Sequence, residues 1–308
     1  MTDPNLQEIH DFLVGLAQKA GPKIAAANPS TVGTKKNSSD LVTETDKAVE
    51  DLISSACRSA YPDYAFLGEE TSTSGRLTAS PTFVVDPIDG TTNFVHAHPY
   101  ISISMALVRN FKPEVGVVYN PFTQHLYTAI KGQGAYLTAA KVPTSFPVAG
   151  QSVESTYERR KLPLRSSPPP LSDLSHALVA VEYGNERSGN NWESKIGTFN
   201  ALGRAKTDND GAMVQSVRSL GSAALNCCSV ARGDMDVYWE GGCWAWDVAA
   251  GWIIVEEAGG MMVGGNQGEW EPKVDGRRYL VLRAGAGKEV IEEFWSKTQG
   301  KLIYEDTD

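Results

Sequence analysis

The sequence predicts a layered α/β protein with a mixed sheet, and three observations on its 308 residues support that prediction. Segments with apolar residues at helical spacing alternate along the chain with short segments of strand character. Some neighbouring strands are close enough in sequence to form hairpins, whereas others are separated by helices and need crossovers. The composition, with 41% apolar and 21% charged residues, is that of a globular protein with ample core-forming side chains.

Charge and composition exclude several classes of protein. The chain has 37 acidic and 28 basic side chains, a net charge of −9, and no long basic run, so we expect no nucleic-acid partner. We expect no membrane partner, because no segment approaches the roughly 18 apolar residues of a membrane helix. The first residues lack the pattern of a signal peptide. Four cysteines without zinc spacing predict reduced thiols and a cytoplasmic location: Cys57, Cys227, Cys228 and Cys243.

Residues 1–150 are predicted to form an N-terminal α/β half that carries the chemistry-bearing motifs. Apolar residues at helical spacing from Leu6 to Ala17 predict a first helix, which Gly21-Pro22 is expected to interrupt. A second helix is predicted within residues 40–60, with Thr43 or Thr45 as its cap. The predicted strands cover residues 83–85, 101–107 and a hairpin of 115–119 with 125–129.

Residues 151–175 differ in composition from the rest of the chain. They are rich in Ser, Pro, Glu and Arg, which predicts a solvated loop at a seam between two domains. Residues 176–308 are then predicted to form a C-terminal α/β half that carries the substrate rim. Its predicted helices are 192–205, 221–231, 247–258 and 288–297, and its predicted strands are 177–181, 235–239, 261–263 and 279–283.

The segment from Asp86 to Asn93 contains the densest chemistry. Asp86 and Asp89 follow a short buried strand, which Pro87 is expected to end, and Gly90 permits a tight turn. Thr91 can then begin a helix whose first N–H groups face the same place. Converging carboxylates repel one another unless cations lie between them, whereas helix-start amides favour phosphate. The segment therefore predicts a metal-and-phosphate site, and the alternative is a capped turn with solvated acids.

Two further acids extend this set. Glu69 follows the short apolar run 65–67, and Asp247 stands at the start of a nearly charge-free helix. An acid at a helix start also has a simpler explanation, because it caps the helix and complements its dipole. All the candidate ligands are oxygen donors, with no cysteine or histidine among them, which favours Mg²⁺ over zinc.

Four segments, in order, resemble the motifs of the inositol monophosphatase family: Asp40-Leu-Val-Thr-Glu-Thr-Asp46, Gly68-Glu-Glu70, Asp86-Pro-Ile-Asp-Gly-Thr-Thr-Asn-Phe-Val-His96 and Trp246-Asp-Val-Ala-Ala-Gly251. The similarity extends from about Leu6 to Phe294. It implies a layered α-β-α-β-α sandwich of the inositol monophosphatase and fructose bisphosphatase type. It also implies a homodimer and a Mg²⁺-dependent, lithium-sensitive hydrolysis of phosphomonoesters.

The resemblance assigns roles to individual residues. Glu69, Asp86 and the Ile88 carbonyl resemble the ligands of a first metal, and Asp86, Asp89 and Asp247 resemble those of a second. Thr91 and Asp46 resemble the pair that deprotonates the attacking water, with Glu69 beside them. The residues expected to contact the substrate are Gly90 and Thr91, whose amides would hold the phosphate, Ala223 and Glu240, which match positions lining the inositol ring, and Asp89 and Asp247. Two or three Mg²⁺ ions are implied. Because a phosphate would meet an already neutral cluster of four carboxylates and two Mg²⁺ ions, Lys35 or Lys36 could supply further positive charge; the alternative is that both lysines are solvated on a loop.

The resemblance leaves the substrate open. Trp244 and Trp246 stand where animal members commonly have His and Cys-Trp, and this version is similar to fungal members, including phosphatase-like proteins of the quinate cluster. The expected substrate is a small phosphorylated polyol, first of all myo-inositol monophosphate. The alternatives are a bisphosphonucleotide, fructose bisphosphate or histidinol phosphate, or a non-catalytic sensor that kept the fold.

Overall fold

The computed structural model describes residues 5–28, 32–35, 37–38, 41–72, 76–141, 156–208 and 211–304. The helices in these ranges are α1 (Leu6–Ala26), α2 (Glu44–Ala60), α3 (Thr91–Val95), α4 (Asn190–Gly203), α5 (Ala223–Arg232), α6 (Ala245–Glu257) and α7 (Lys288–Lys297). The strands are β1 (Val32–Thr34), β2 (Leu41–Thr43), β3 (Ala65–Gly68), β4 (Thr82–Asp89), β5 (Ser102–Arg109), β6 (Lys112–Asn120), β7 (His125–Ile130), β8 (Ala135–Ala140), β9 (Tyr157–Lys161), β10 (Leu178–Val181), β11 (Ser216–Arg218), β12 (Val237–Gly241), β13 (Met261–Gly264) and β14 (Arg278–Leu282).

Two large sheets organise these elements. The first has seven strands in the order β3-β4-β5-β6-β7-β8-β9, and only its β3–β4 pair is parallel. The second has five strands in the order β11-β10-β12-β14-β13 and mixes parallel with antiparallel pairs. A small antiparallel pair, β1–β2, lies apart from both sheets. The prediction of a mixed sheet with hairpins and crossovers is confirmed.

Three apolar clusters fill the spaces between five layers of helices and sheets, and the second of them fills two of these spaces. One cluster joins α1 and α2 to one face of the seven-stranded sheet. The second joins the opposite face of that sheet to α5 and α6, and these helices to the five-stranded sheet. The third lies between the five-stranded sheet and the outer helices α4 and α7. Neighbouring strand residues alternate between clusters, as Tyr238 and Trp239 do. The α-β-α-β-α sandwich is therefore confirmed.

The central helix layer depends on close backbone approach. A Cβ atom on Gly116 of β6 would lie 2.6 Å from the Ala250 carbonyl oxygen of α6, and one on Gly251 would lie 2.5 Å from the Cys227 Cβ of α5. Most of α6 is buried, because it lies between the two sheets and packs beside α5. In the described residues no helix is both long enough and apolar enough to cross a membrane.

The expected interruption at Gly21-Pro22 is wrong, since α1 continues through both residues. Gly21 is buried against β6, and a Cβ atom there would lie 2.4 Å from the Tyr119 ring. Ile24, one turn further on, is also fully buried. Packing of this apolar face stabilises the last turn of the helix, and tertiary packing commonly outweighs local propensity in this way.

The predicted end of a strand at Asp86-Pro87 is also wrong, because β4 continues to Asp89. β4 pairs with β3 only as far as Val85, and its pairing with β5 resumes at Asp89 after a register shift. Proline is tolerated at such irregular positions because its missing N–H breaks no ladder hydrogen bond there. The consequence is that a strand, and not a loop, carries both acids of the motif.

The predicted loop over 151–175 is contradicted in part, while residues 151–155 lie outside the described residues. Tyr157–Lys161 form β9, the edge strand of the larger sheet, paired with β8. All five β9 side chains are exposed, so no apolar pattern marks this strand. Its backbone pairing with β8 and the Arg159 guanidinium over the Tyr136 ring of β8 hold it in place. Beyond it, Leu162, Leu171 and Leu174 are buried. The domain boundaries at 150 and 176 stay a prediction.

The burial of Leu162 predicts that this segment contributes to stability. Leu162→Ala should lower the free energy of unfolding by about 2–5 kcal/mol, because it removes buried methyl groups and leaves a cavity. The matched variant Arg160→Ala changes an exposed β9 side chain and should alter stability by less than about 0.5 kcal/mol. Urea unfolding of both variants measures the difference, and equal effects would contradict the packing described for Leu162.

Candidate active site

The structure brings together the acids that the motifs predict. Carboxylate oxygens of Asp86 and Asp89 on β4 and of Asp247 in the first turn of α6 lie within 4.8 Å of one another. Glu69 directly follows β3, and its carboxyl group lies within hydrogen-bonding reach of Asp86. β3 and β4 are parallel neighbours, so their carboxyl ends meet at one edge of the sheet. We refer to these four residues as the acidic cluster.

Burial and mutual repulsion act together on the acidic cluster. Burial is the largest influence on each group; it raises the pKa of Glu69 to about 7 and that of Asp89 to about 6. Burial, followed by the charges of neighbouring carboxylates, also raises the pKa of Asp86 and Asp247 well above the usual range. Several buried carboxylates in contact are unfavourable without cations between them. Their hard oxygen donors fit Mg²⁺ or a similar cation.

Asp89 is held by the start of α5. Its carboxylate accepts hydrogen bonds from the backbone N–H groups of Ala223 (3.0 Å) and Ala224 (2.9 Å) and from the hydroxyls of Ser222 and Ser102. These bonds oppose the effect of burial and favour the ionised form. The positive end of the helix dipole favours the same state. Asp89 therefore ties the larger sheet to the central helix layer in a fixed orientation.

Glu182 is a positioning residue that the sequence analysis missed. It follows β10 and accepts hydrogen bonds from the backbone N–H groups of Leu220 (2.7 Å) and Gly221 (2.9 Å). The Asn226 side-chain amide donates to it at 2.8 Å, and the Ser219 hydroxyl also donates at 2.8 Å. These four donors fix the loop that leads into α5. An acid directly after a predicted strand is the signal that identified Glu69, and it applies equally to Glu182.

A second pair of predicted residues, Thr91 and Asp46, is joined by a hydrogen bond. The Thr91 hydroxyl donates to Asp46 Oδ1 at 3.2 Å, and the Ile88 carbonyl oxygen lies at the same distance from it. Asp46 Oδ2 accepts from the Thr43 backbone N–H (3.0 Å) and from the Thr43 hydroxyl. This reciprocal cap confirms Thr43 as the N-cap of α2. Burial raises the pKa of Asp46, the Thr43 hydrogen bonds oppose that shift, and the Glu70 charge reinforces it.

Gly90 produces the turn between β4 and α3. Its φ of +100° is in the left-handed region, and a Cβ atom would lie 2.9 Å from the Gly221 carbonyl oxygen. Asn93 of α3 donates its side-chain amide to the carbonyls of Tyr100 (2.8 Å) and Leu220 (2.7 Å). The turn and this bridge hold the start of α3 close to the loop before α5. That Gly90 and Thr91 amides bind phosphate remains a prediction.

Lys35 contacts the acidic cluster. Its Nζ lies 2.8 Å from both Glu69 Oε1 and Glu70 Oε1. Burial opposes the charged form most strongly, but the combined attraction of Glu69 and Glu70 raises the pKa of Lys35. Lys35 therefore places a positive charge beside the acidic cluster, as the sequence analysis suggested for Lys35 or Lys36. Lys36 lies outside the described residues.

Glu240 is a buried acid on β12 that does not belong to the acidic cluster. It is at the end of β12 and accepts from the Tyr238 hydroxyl (2.7 Å) and the Gly241 backbone N–H (2.8 Å). The Cys227 thiol is within electrostatic reach of both Glu240 and Asp89, and the Cys243 thiol of both Glu240 and Asp247. Ala223 contacts the cluster through its hydrogen bond to Asp89. The contact of Ala223 and Glu240 with a substrate ring remains a prediction.

Two tryptophans of the β12–α6 segment pack against each other. Trp246 is buried in the central layer, and Trp244 stacks on it with ring centroids 5.4 Å apart. The Arg277 guanidinium lies over the Trp244 ring, 3.8 Å from its centroid. These contacts hold the segment between Glu240 and Asp247.

Comparisons with known proteins agree with this geometry. Residues 5–301 match the model of the Inositol monophosphatase family. "Inositol monophosphatase 2" of Saccharomyces cerevisiae is 42% identical over 99% of each chain. "Quinic acid degradation cluster protein x" of Neurospora crassa is 36% identical, covering 97% of this chain and 96% of its own. The crystal structure of inositol monophosphate-bound SaIMPase-II, the Staphylococcus aureus protein, has a TM-score of 0.66 and 29% identity over 94% of each chain.

The family match covers nearly the whole chain, and fungal proteins are among its relatives, as the Trp-rich segment predicts. Members of the family hydrolyse phosphomonoesters with the help of metal ions. Three of the four motif segments supply the acidic cluster, and Asp46 of the remaining segment is hydrogen-bonded to Thr91. Sequence, fold and site geometry agree: the chain belongs to the inositol monophosphatase family and is a metal-dependent phosphomonoester hydrolase.

Proposed function

We propose that this phosphatase hydrolyses myo-inositol monophosphate to inositol and phosphate, with Mg²⁺ as its metal. The observation that carries the proposal is the meeting of the acidic cluster with the hydrogen-bonded pair of Thr91 and Asp46. The substrate class is supported by the similarity to SaIMPase-II, whose crystal structure is described as bound to inositol monophosphate.

The donor set determines which residues would hold the metal ions. Glu69, Asp86 and the Ile88 carbonyl would form one Mg²⁺ site, and Asp86, Asp89 and Asp247 a second, with Asp86 shared. When bound, two Mg²⁺ ions neutralise the four carboxylates, polarise phosphoryl oxygens and lower the pKa of a coordinated water. Lys35, which contacts Glu69 and Glu70, would supply additional positive charge. It would either replace a third Mg²⁺ ion or act together with one.

Thr91 and Asp46 would activate the attacking water. The Thr91 hydroxyl donates to Asp46 Oδ1, so Thr91 Oγ1 can accept a proton from water while its own proton moves to Asp46. The water oxygen would then form the new bond to phosphorus as the bond to the ester oxygen breaks. The ester oxygen would leave with the bonding electron pair and take a proton from solvent water, which completes the inositol hydroxyl. Glu69, at the edge of the cluster, orients the same water. No covalent protein intermediate is needed.

The substrate would lie between the residues that hold its phosphate and the residues that face its ring. The Gly90 and Thr91 amides would hold the phosphate beside Asp89 and Asp247, because N–H groups at a helix start favour anions. Ala223 and Glu240 would face the polyol ring, where a carboxylate can accept hydrogen bonds from hydroxyl groups. We further propose a homodimer, as the family resemblance implies, and a cytoplasmic location, which suits four free cysteines.

Metal dependence tests the proposed reaction. EDTA should abolish phosphate release from myo-inositol monophosphate, and millimolar Mg²⁺ should restore it. Excess Ca²⁺ should inhibit, because its looser coordination geometry places the water poorly. The same assay with a bisphosphonucleotide, fructose bisphosphate and histidinol phosphate ranks the competing substrates. Full activity in chelator would refute the metal-assisted mechanism, and a better rate on one of the other substrates would replace the proposed one.

Asp247→Asn separates the catalytic from the structural effect of the acidic cluster. The variant removes one charge at constant size, so kcat should fall by about 100-fold, the cost typical of losing one transition-state electrostatic contact. The metal-free variant should have a higher melting temperature than the metal-free wild type, because one repulsive charge is gone. Asp51→Asn, an exposed position on α2, is the control and should change neither quantity. An unchanged kcat for Asp247→Asn would show that the ligand set is wrong.

Lithium should inhibit in a particular pattern. Li⁺ is small and prefers oxygen ligands, so it can occupy a site formed by Asp86, Asp89 and Asp247, but it brings only one charge. It should therefore bind best while phosphate is still present, which makes inhibition uncompetitive and lowers kcat and KM together. Equal concentrations of NaCl are the control for ionic strength. Equal inhibition by the two salts would exclude specific occupancy of the metal site.

A further inference from the structure

Lys195 is a buried lysine that the reaction described above does not use. It lies on α4 with 2% of its surface exposed. Its Nζ donates to the Tyr183 carbonyl oxygen at 3.1 Å and to the Gly241 carbonyl oxygen, and lies 3.9 Å from Glu240 Oε1. Removing an ammonium group from water is costly unless an opposite charge and hydrogen bonds compensate for it. Glu240 supplies the charge and the two carbonyls supply the acceptors.

The backbone around Lys195 is shaped to receive the ammonium group. Gly184 has a φ of +68°, and a Cβ atom there would lie 2.9 Å from Lys195 Nζ. Gly241 accepts from Lys195 with its carbonyl and donates to Glu240 Oε1 with its N–H at 2.8 Å. Lys195 and Glu240 are thus linked both directly and through one residue.

Glu240 depends on these neighbours for its charge and orientation. Burial raises the pKa of Glu240 to about 7; the charge of Lys195 opposes that shift and the charge of Glu182 reinforces it. The Tyr238 hydroxyl occupies Oε2, and the Gly241 N–H occupies Oε1, each with one hydrogen bond. Each carboxylate oxygen can accept a second hydrogen bond, and a substrate hydroxyl is the natural donor.

Resting on the proposed function, we propose that Lys195 is the positioning residue for Glu240 and thereby sets the preference for polyol phosphates over phosphate esters without ring hydroxyls. A site built to accept hydrogen bonds from hydroxyl groups discriminates strongly against substrates that lack them. The partners of Lys195 are Glu240 and the carbonyls of Tyr183 and Gly241. Lys195 would therefore act through Glu240 at the ring end of the substrate, and its loss should affect recognition of the alcohol and not the chemistry at phosphorus.

The experiment compares two substrates, myo-inositol monophosphate and p-nitrophenyl phosphate, at saturating Mg²⁺. Lys195→Met should raise KM for myo-inositol monophosphate about tenfold, or about 1.4 kcal/mol. Its kcat/KM for p-nitrophenyl phosphate should stay within about twofold of wild type. Lys195→Gln keeps a hydrogen-bond donor without the charge, and it provides the same readout if Lys195→Met does not fold. Lys288→Met is the control, because the Lys288 side chain is 65% exposed. It should leave KM and kcat/KM unchanged for both substrates.

Glu240→Gln shows whether Lys195 acts through Glu240. The double variant Lys195→Met with Glu240→Gln should have the same ratio of kcat/KM for the two substrates as Glu240→Gln alone. The reason is that Lys195 has no charged carboxylate left to position once residue 240 is neutral. Equal loss on both substrates in the Lys195 variants, or unchanged selectivity, would overturn the inference while the wild-type activity stands. A wild type that does not hydrolyse myo-inositol monophosphate would refute the proposed function itself, and the inference with it.

Discussion

Four carboxylates held out of water and close together create the constraint on which the rest of this structure depends. Their mutual repulsion opposes folding, so each acid must be fixed by an element that is stable for other reasons. Asp86 and Asp89 are on a buried strand, Glu69 follows its parallel neighbour, and Asp247 is in the first turn of a helix packed between two sheets. The apolar layers supply the stability that the cluster opposes, and cations bound between the carboxylates would relieve the repulsion.

The central helix layer connects this cluster to the rest of the fold. α5 presents its first N–H groups to Asp89, and the Ser104 hydroxyl of β5 donates to the Trp246 carbonyl of α6 at 2.9 Å. Glu182, which directly follows β10 of the five-stranded sheet, holds the loop before α5. Small residues such as Gly116 and Gly251 let both helices approach closely, so a change in this layer would move metal ligands as well as core side chains.

Local sequence rules failed where a neighbour in space supplied what the local segment lacked. Pro22 lies inside α1 because the adjoining turn is buried against β6. Pro87 lies inside β4 because the strand has lost its β3 partner there and is irregular on its β5 side. β9 has only exposed side chains, so no apolar alternation could reveal it, and its pairing with β8 decides its conformation.

The sequence by itself predicted the layered fold class and the acids Glu69, Asp86, Asp89 and Asp247, and its resemblance to a known family implied the pair of Asp46 and Thr91. It could do so because motif spacing and strand or helix ends are local properties, written in residues close together along the chain. Only the tertiary structure decided that Lys195 contacts Glu240, that Lys35 contacts Glu69 and that Glu182 holds the start of α5. A charged residue on a helix or beside a loop is ordinarily solvated, and only long-range packing brings these side chains to buried partners.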